Sequence, residues 1–372
     1  MAVNVHLTTV HPRGDVRIWV KQCCSLAQRN HQELYLAVAD SLGDEMVGAV
    51  RVLDVGRPPG GRAGRILIGS WRSFRLVRRL KADLVHFHDP ELIPVCLLLS
   101  MLGHKVIYDV HEDTPRQVLA KQWLPGFLRR IVAVAVSISE RIASRQLAGI
   151  VAATPAIAAR FPPSKTVLVR NFPILEEFSN LQLIPQRERE RAIAYIGVIA
   201  GIRGATQMIN AVEQASDAGE LRLKFAGNYS PPEVQIQLES LPGWRHVDSL
   251  GWLQREEIVR LLSEVRGGLV VLEPTRNYVD ALPVKMFEYM AAGIPVIASD
   301  FPLWREIVEE SGCGLLVDPA DPASIAEALR WILEHHDEAD AMGELGRRSV
   351  TFEYNWSNEA KKLLTFYDAL GV

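Results

Sequence analysis

EPTRNYVDALPVKMFEYMAAGIPVIASD, residues 273–300, decides how this chain folds. Pro283 suits the first turn of a helix, where its missing N–H costs nothing. Met286, Phe287 and Met290 then supply an apolar face while Glu288 projects elsewhere. Gly293 stops the helix, and Pro295 prevents its continuation. Val296 to Ser299 form the next buried strand. Loop, short helix and return strand together make one repeat of a parallel α/β sheet.

The same alternation extends in both directions. Toward the N-terminus the apolar, β-branched runs are VNVHLTTV, LYLAVAD, VRVLDV, DLVHFH, KVIYDV, GIVAAT and TVLVRN, with helices predicted near 16–28, 71–81, 91–102 and 117–147. PILEEFSNLQLIPQRERER (173–191) is polar and carries two prolines, so it is the linker candidate. Beyond it come AIAYIGVI, RLKFAGNY, VDSLGW, GGLVVLE, PVIASD and GLLVDP. Helices are predicted there near 204–215, 231–240, 254–264, 283–292, 302–310, 321–334 and 337–350.

Continuous apolar strands separated by helices imply sheets covered on both faces. The chain therefore reads as α/β, with two Rossmann-like, doubly wound parallel-sheet domains at 1–175 and 190–356 facing a deep cleft. A last helix near 357–372 is able to pack back on the first domain. A length of 372 residues suits two such cores. Neither GxGxxG after a first strand nor GxxxxGK[ST] occurs, which argues against a dehydrogenase or a P-loop enzyme.

Cys23, Cys24, Cys96 and Cys313 form no CxxC pair, so neither a disulfide framework nor a structural zinc site is expected. MAVNVHLTTV begins a strand at once, without the basic and apolar regions of a signal peptide. LIPVCLLLSML (92–102) and IVAVAVSI (131–138) are too short to span a bilayer. A cytoplasmic location follows as the expectation. The net charge of −3 hides an asymmetry: residues 1–172 hold 23 Lys and Arg against 13 Asp and Glu, and the remainder holds 18 against 31. GRAGRILIGSWRSFRLVRRLK (61–81) and QWLPGFLRRIVAVAV (122–136) mix basic and aromatic residues, including Trp71, Phe74, Trp123 and Phe127. That mixture fits peripheral binding to an anionic membrane, at the inner face of the plasma membrane. No nucleic-acid motif accompanies it.

The N-terminus of the 283–292 helix offers free N–H groups and partial positive charge to a phosphate. Lys285 adds a full charge, and Asp280 and Glu288 bracket the anion with hydroxyl-binding carboxylates. Asp280 as a simple cap and Glu288 as a surface partner of Lys285 is the plainer alternative.

D-ALPVKMF-E-YMAAGIPV resembles the signature of the retaining GT-B glycosyltransferases of family GT4, of the bacterial surface-polysaccharide kind, with Asp280 where that family usually has Glu. The resemblance implies that Glu288 binds the donor ribose. Asp280 and the backbone of Ala281, Leu282 and Pro283 then meet the donor sugar and diphosphate. YIGVIAGIRG (195–204) is similar to the family's YVGRLxxxKG, so Arg203 and Gly204 take the diphosphate turn, while Val198 stands in place of an arginine. FAGNY (225–229) puts Gly227 near the nucleotide. SLGWLQREEI (249–258) places Trp252 and Leu253 at the base, although Trp252 is equally readable as core packing.

In the first domain, YDVHED (108–113) resembles the family strand whose histidine lies beside the transferred sugar, which assigns that place to His111. DLVHFHDPEL (83–92) sets His86 and His88 pointing the same way. HPRGDVRIW (11–19) brings Gly14 to a close backbone approach and Arg13 or Arg17 to an acceptor phosphate. The bland alternative makes Asp15 a helix cap and leaves Arg17 solvated.

The implied catalytic set is His111, Asp280, Arg203 and Lys285, with Arg13, Gly14, Arg17 and His88 on the acceptor side. No metal and no cofactor are expected, since the nucleotide sugar is a co-substrate. The implied function is retaining transfer from a nucleotide sugar, UDP preferred, to a lipid-linked or oligosaccharide acceptor. A nucleotide-sugar 2-epimerase, a phosphorylase, or a catalytically silent partner subunit of a transferase complex are the alternatives.

Overall fold

The computed structural model describes residues 1–29, 32–120, 125–216 and 220–372. Trp123, expected in the basic-aromatic patch, lies outside them. The chain divides into two compact units, Met1–Asn171 with Ser357–Val372, and Phe172–Trp356.

The first unit contains β1 (Ala2–Leu7), β2 (Gln32–Val38), β3 (Glu45–Val47), β4 (Val50–Asp54), β5 (Leu84–Phe87), β6 (Lys105–Val110), β7 (Gly149–Ala152) and β8 (Thr166–Leu168). Among the described residues they form one sheet in the order β3-β4-β2-β1-β5-β6-β7-β8. All pairs are parallel except the β3–β4 hairpin. The register sets His6 of β1 opposite His86 of β5.

The second unit contains β9 (Glu190–Ile196), β10 (Arg222–Ala226), β11 (Val247–Gly251), β12 (Val265–Val270), β13 (Val296–Ser299) and β14 (Gly314–Val317). Their order, β11-β10-β9-β12-β13-β14, is the dinucleotide-fold order 3-2-1-4-5-6 when the strands are counted within the unit. One face packs Met208 and Val212 of helix Ala205–Ala215 with Leu329 and Ile332 of helix Pro322–Glu334. The other face receives Met286 and Met290 of helix Val284–Ala291 and Trp304 of helix Pro302–Ser311. With both faces covered, β12 is buried along its whole length. That burial is why the strands read as unbroken apolar runs.

Four details differ from the sequence reading. The helix predicted over 117–147 is two, Thr114–Ala120 and Gly126–Gln146, with Pro125 capping the second. Pro125 has ψ 141°, outside the helical range, so the second helix starts only after it. The expected linker 173–191 is not a tether, because Phe172 and Phe178 lie in the core of the second unit. Strand β3, exposed at all three residues, has no apolar pattern to betray it. The first helix opens as a wide π-helical stretch, Val16–Cys23, in which Val20 N–H bonds the Asp15 carbonyl five residues back.

The final helix, Trp356–Ala369, belongs almost entirely to the first unit. Glu359, 1% exposed, accepts the Arg170 N–H at 2.8 Å. The Phe366 ring fills the space beside β7 that Gly149 leaves, where a Cβ would lie 2.3 Å from a ring carbon. Gly149→Ala is therefore expected to cost about 1–3 kcal/mol by overpacking. Chemical denaturation of the variant beside the parent chain measures it, and an unchanged midpoint would contradict this packing.

Candidate functional site

In doubly wound sheets, ligands gather beyond the carboxyl ends of the strands where the order reverses. In the second unit that point lies between β9 and β12. The turn after β9 runs through Gly197 to Gly204, and Gly204 has φ +73° with a Cβ position only 2.4 Å from the Val271 carbonyl oxygen. Gly227, after β10, is tighter: its Cβ would sit 1.9 Å from the Gly197 oxygen. No other residue type allows these backbones to approach so closely.

Lys285 enters the same turn from the first turn of helix Val284–Ala291. Its Nζ lies 3.5 Å from the centroid of the Tyr195 ring and has no hydrogen-bond partner. A Cβ on Gly197 would come within 3.4 Å of it. Burial, and then the charge of nearby Arg203, hold the Lys285 pKa well below the ordinary lysine range. Arg203 ends the short helical turn Gly201–Arg203, with its guanidinium carbon 5.8 Å from the Tyr278 centroid. Two basic side chains thus share one field at a glycine turn, and one of them is buried. Such a site attracts an anion.

The loop preceding the helix is held from behind. Trp304, fully buried, donates its indole N–H to the Ala281 carbonyl at 2.7 Å. Asp280 caps helix Arg276–Val279, and Leu282 packs against the core. Pro283 is the cap residue itself, so the helix begins one residue later than its proline suggested.

Glu288 is 7% exposed and accepts from Arg255 Nη1 at 2.6 Å, while Arg255 also pairs with Glu177. Its partner is therefore Arg255, not Lys285. Burial lowers the Arg255 pKa, but Glu288 and Glu177 together raise it above its ordinary value. Arg255 opens helix Arg255–Glu264 behind a Gln254–Glu257 capping box. Only that helix start marks Arg255 in the sequence. Trp252 is 68% exposed, so core packing is not its role, and Leu253 is half-buried.

The first unit has its reversal between β1 and β5. There a fully buried chain of side chains runs through the sheet. A carboxylate only accepts, so His88 Nδ1 donates to Asp109 at 3.1 Å. His88 Nε2 then accepts from His6 Nδ1, at 3.1 Å. His6 Nε2 accepts from the Tyr367 hydroxyl, at 3.1 Å, and the Tyr367 oxygen accepts from His86 Nδ1, at 2.7 Å. His86 Nε2 ends the chain without a partner. Burial pushes the His88 pKa down to about 3, so the ring is neutral and the donor order is fixed. Burial opposes the Asp109 charge, yet Arg17 and His88 hold its pKa well below the carboxylate range.

His86, His88 and Asp109 have ligand-type atoms within 4.8 Å of one another, but Arg17 Nη2 and Nε contact Asp109 at 2.7 and 3.0 Å. A guanidinium in that place opposes a metal cation.

His111 lies at the edge of this network, with Nδ1 3.9 Å from Asp109 and Nε2 3.2 Å from Nε2 of His11. The sequence reading missed His11, although its four-residue spacing from Asp15 was visible. His11 Nδ1 lies 3.2 Å from Asp15, and Nε2 lies 3.5 Å from Asp89. Burial lowers the His11 pKa, but Asp15 and Asp89 outweigh it and leave the group above its ordinary value.

The arginines expected to meet an acceptor phosphate are both taken. Arg13 is gripped by Asp40 at 2.7 Å and Glu45 at 2.6 Å. Arg17, 5% exposed, is neither solvated nor surface-facing, since it sits bidentate on Asp109. Asp15 does cap the helix, accepting from the N–H groups of Arg17 and Ile18 at 2.9 Å each. Gly14 stands in open space, with no atom within 4 Å of a Cβ position. His88 is buried inside the chain just described.

Two Rossmann-like units, each with a parallel sheet covered on both faces, define the GT-B architecture. Residues 179–349 match the family model for glycosyl transferases group 1, and residues 14–171 match the glycosyl transferase 4-like domain. The chain belongs to this family of GT4-type glycosyltransferases.

It is 38% identical over 88 residues to a GDP-mannose-dependent alpha-(1-6)-phosphatidylinositol monomannoside mannosyltransferase from Mycobacterium tuberculosis, covering 24% of this chain and 23% of that one. It is 34% identical over 190 residues to a D-inositol 3-phosphate glycosyltransferase from Corynebacterium urealyticum, covering 48% of this chain and 43% of that one. The chain thus spans less than half the length of these curated relatives. The structure of Alr3699/HepE from Anabaena in complex with UDP superposes with a TM-score of 0.72 at 13% identity, covering 99% of this chain and all of that one.

Lys285→Met is expected to raise the stability of the unliganded protein by about 1–3 kcal/mol, because an unpaired buried polar group is removed. The folded protein binds fewer protons here than the unfolded chain. This position therefore adds stability as pH rises from the lowered folded value to the ordinary 10.5, and the variant loses that slope. Melting curves of the two proteins across neutral to alkaline pH measure both effects.

Tyr367→Phe leaves His6 and His86 each short of a partner. A loss of about 1–3 kcal/mol in denaturant unfolding is expected.

Proposed function

We propose that the protein is a retaining, metal-independent glycosyltransferase that moves a sugar from a nucleotide sugar to a glycan or lipid-linked acceptor in bacterial surface-polysaccharide synthesis. The observation that carries this reading is Lys285: a buried amine with no hydrogen-bond partner, beside Arg203, at a glycine turn and a helix N-terminus. A diphosphate is the ligand that such a group of donors fits. Glu288, oriented by Arg255, accepts from the ribose hydroxyls, and Asp280 with the Ala281–Pro283 backbone meets the sugar.

The chemical obstacle is departure of the diphosphate. Arg203, Lys285 and the amides at the start of helix Val284–Ala291 stabilise the charge that develops on it. They supply the positive charge a metal would otherwise bring. Glu288 is tied to Arg255 and serves orientation, so no carboxylate of this group acts as a nucleophile. The acceptor hydroxyl then attacks from the face the leaving phosphate quits and passes its proton to that phosphate, which retains configuration. His111 borders the transferred sugar. The GDP-mannose relative and the UDP-bound neighbour both agree with a nucleoside diphosphate donor, and UDP is our preferred base. No cofactor takes part.

The membrane side of the reading rests on helix Gly126–Gln146. Phe127, Ile131, Val134, Ile138 and Ile142 recur on one face and are all exposed, with Arg129, Arg130, Arg141 and Arg145 beside them. Leu67 and Trp71 add a second exposed apolar site. These faces suit an anionic lipid surface on the cytoplasmic side. No helix among the described residues is long and apolar enough to cross a membrane.

Thermal-shift screening against UDP- and GDP-sugars tests the donor. A ligand present at 100 times its dissociation constant adds about 2.7 kcal/mol. Turnover with that donor should give a glycoside of unchanged anomeric configuration by NMR, equally fast with a chelator. Release of an epimer without acceptor, or of a sugar 1-phosphate, would overturn the assignment.

A further inference from the structure

The first unit holds a cavity of about 270 Å³ at the carboxyl ends of β1, β5 and β6. Its walls are polar and their charge balance is acidic. Asp89, 2% exposed, uses one oxygen to accept from Thr8 and from the N–H groups of Thr9 and Val10. Its other oxygen faces His11. Glu91 accepts from the Thr9 hydroxyl at 2.7 Å and from Arg65 Nε at 2.7 Å. Glu112 lies on the far side, bonded to Gln117. Asp109 also lines the cavity but is neutralised by Arg17.

Three carboxylates therefore face the space against two cations. Arg65 is matched by Glu91, and His11 stands between Asp15 and Asp89. No cation of the lining is left over for an anionic ligand, and Arg13 and Arg17 are committed elsewhere. A phosphate brought here meets like charge on two sides. Sugar hydroxyls meet acceptors in the carboxylates and donors in the imidazoles and guanidinium, with no charge to strip of water.

We infer that this pocket takes an uncharged pyranose and rejects a phosphorylated one, with Glu91 and Glu112 as the residues that set the choice. The inference rests on the transferase reading above and narrows its acceptor class. It separates this chain from the relative named for D-inositol 3-phosphate.

Saturation-transfer NMR on the full chain tests it, using methyl α-glucoside, mannoside and galactoside beside the matching hexose 6-phosphates, with UDP-glucose and GDP-mannose titrated into the same samples. At least one neutral glycoside should bind at least tenfold more tightly than its phosphorylated counterpart. Retention of the glycoside in the presence of either nucleotide sugar assigns the pocket to the acceptor, as inferred, and its displacement overturns that assignment.

Glu91→Gln keeps an acceptor for the Thr9 hydroxyl but frees Arg65, so the preference should fall tenfold or reverse. Glu112→Gln serves as the second variant, and folding of each is checked by its melting curve. Binding of neither class, a preference for the phosphate ester, or an unchanged ratio in both folded variants overturns the inference. Absence of nucleotide binding, by contrast, sinks the transferase reading, whichever sugar the pocket holds.

Discussion

Two basic side chains are held together at one glycine turn, where burial and their mutual repulsion outweigh the attraction of Glu288 for Lys285. Arg203 stands at the mouth of that turn, while Lys285 arrives from a helix buried on nearly every side. Like charges at close range in a poorly hydrated site repel, and burial penalises the ammonium further. The protein withstands this because neither group is free to leave. The lysine stem is packed among core residues, its tip rests on the Tyr195 ring, and the helix carrying it lies between the sheet and helix His336–Phe352, while Trp304 holds the loop before it. Stability is given up locally so that the site is ready for its ligand, an arrangement common where charge must be received.

The first unit solves its electrostatics the opposite way. Nearly every ion near its strand ends has a partner: Asp109 has Arg17, Arg13 has Asp40 and Glu45, and Glu91 has Arg65. Tyr367 from the final helix closes the histidine chain, so the last helix completes a polar network begun by the first strand. One unit thus presents unsatisfied positive charge and the other a balanced, hydroxyl-seeking surface. The net basicity of the first 172 residues hides this contrast. Its arginines are spent on internal carboxylates or lie on helix surfaces away from the strand ends.

The fold was legible because both sheets are covered on each side, which turns strands into apolar runs and helices into clear periodicity. The glycine turn that meets Lys285 was legible for a related reason. Gly204, Gly227 and Lys285 are constrained by local backbone geometry, and local geometry leaves a mark on sequence. What escaped was long-range. Arg255 reaches Glu288 across 33 positions, Arg17 reaches Asp109 across 92, and Tyr367 reaches His6 across 361. Each looks like an ordinary residue on its own element, and only the sheet order brings the partners together. The false linker at 173–191 has a similar origin, since a few aromatic anchors at 172 and 178 outweigh its polar composition.

Val198 shows how charge is kept at a site when a residue is not. The family resemblance expects an arginine there, and the valine is 37% exposed with no polar group to offer. Lys285 Nζ arrives beside Gly197, the neighbouring residue in the chain, so a cation is restored to nearly the same place from a different element. The replacement is not equivalent. A guanidinium stays charged in any protein environment, whereas burial pushes the Lys285 amine well below the ordinary lysine range. On the proposed reading, the positive charge offered to a diphosphate then depends on the protonation of this amine. Burial and Arg203 hold the amine toward neutrality, while Glu288 favours its charged form.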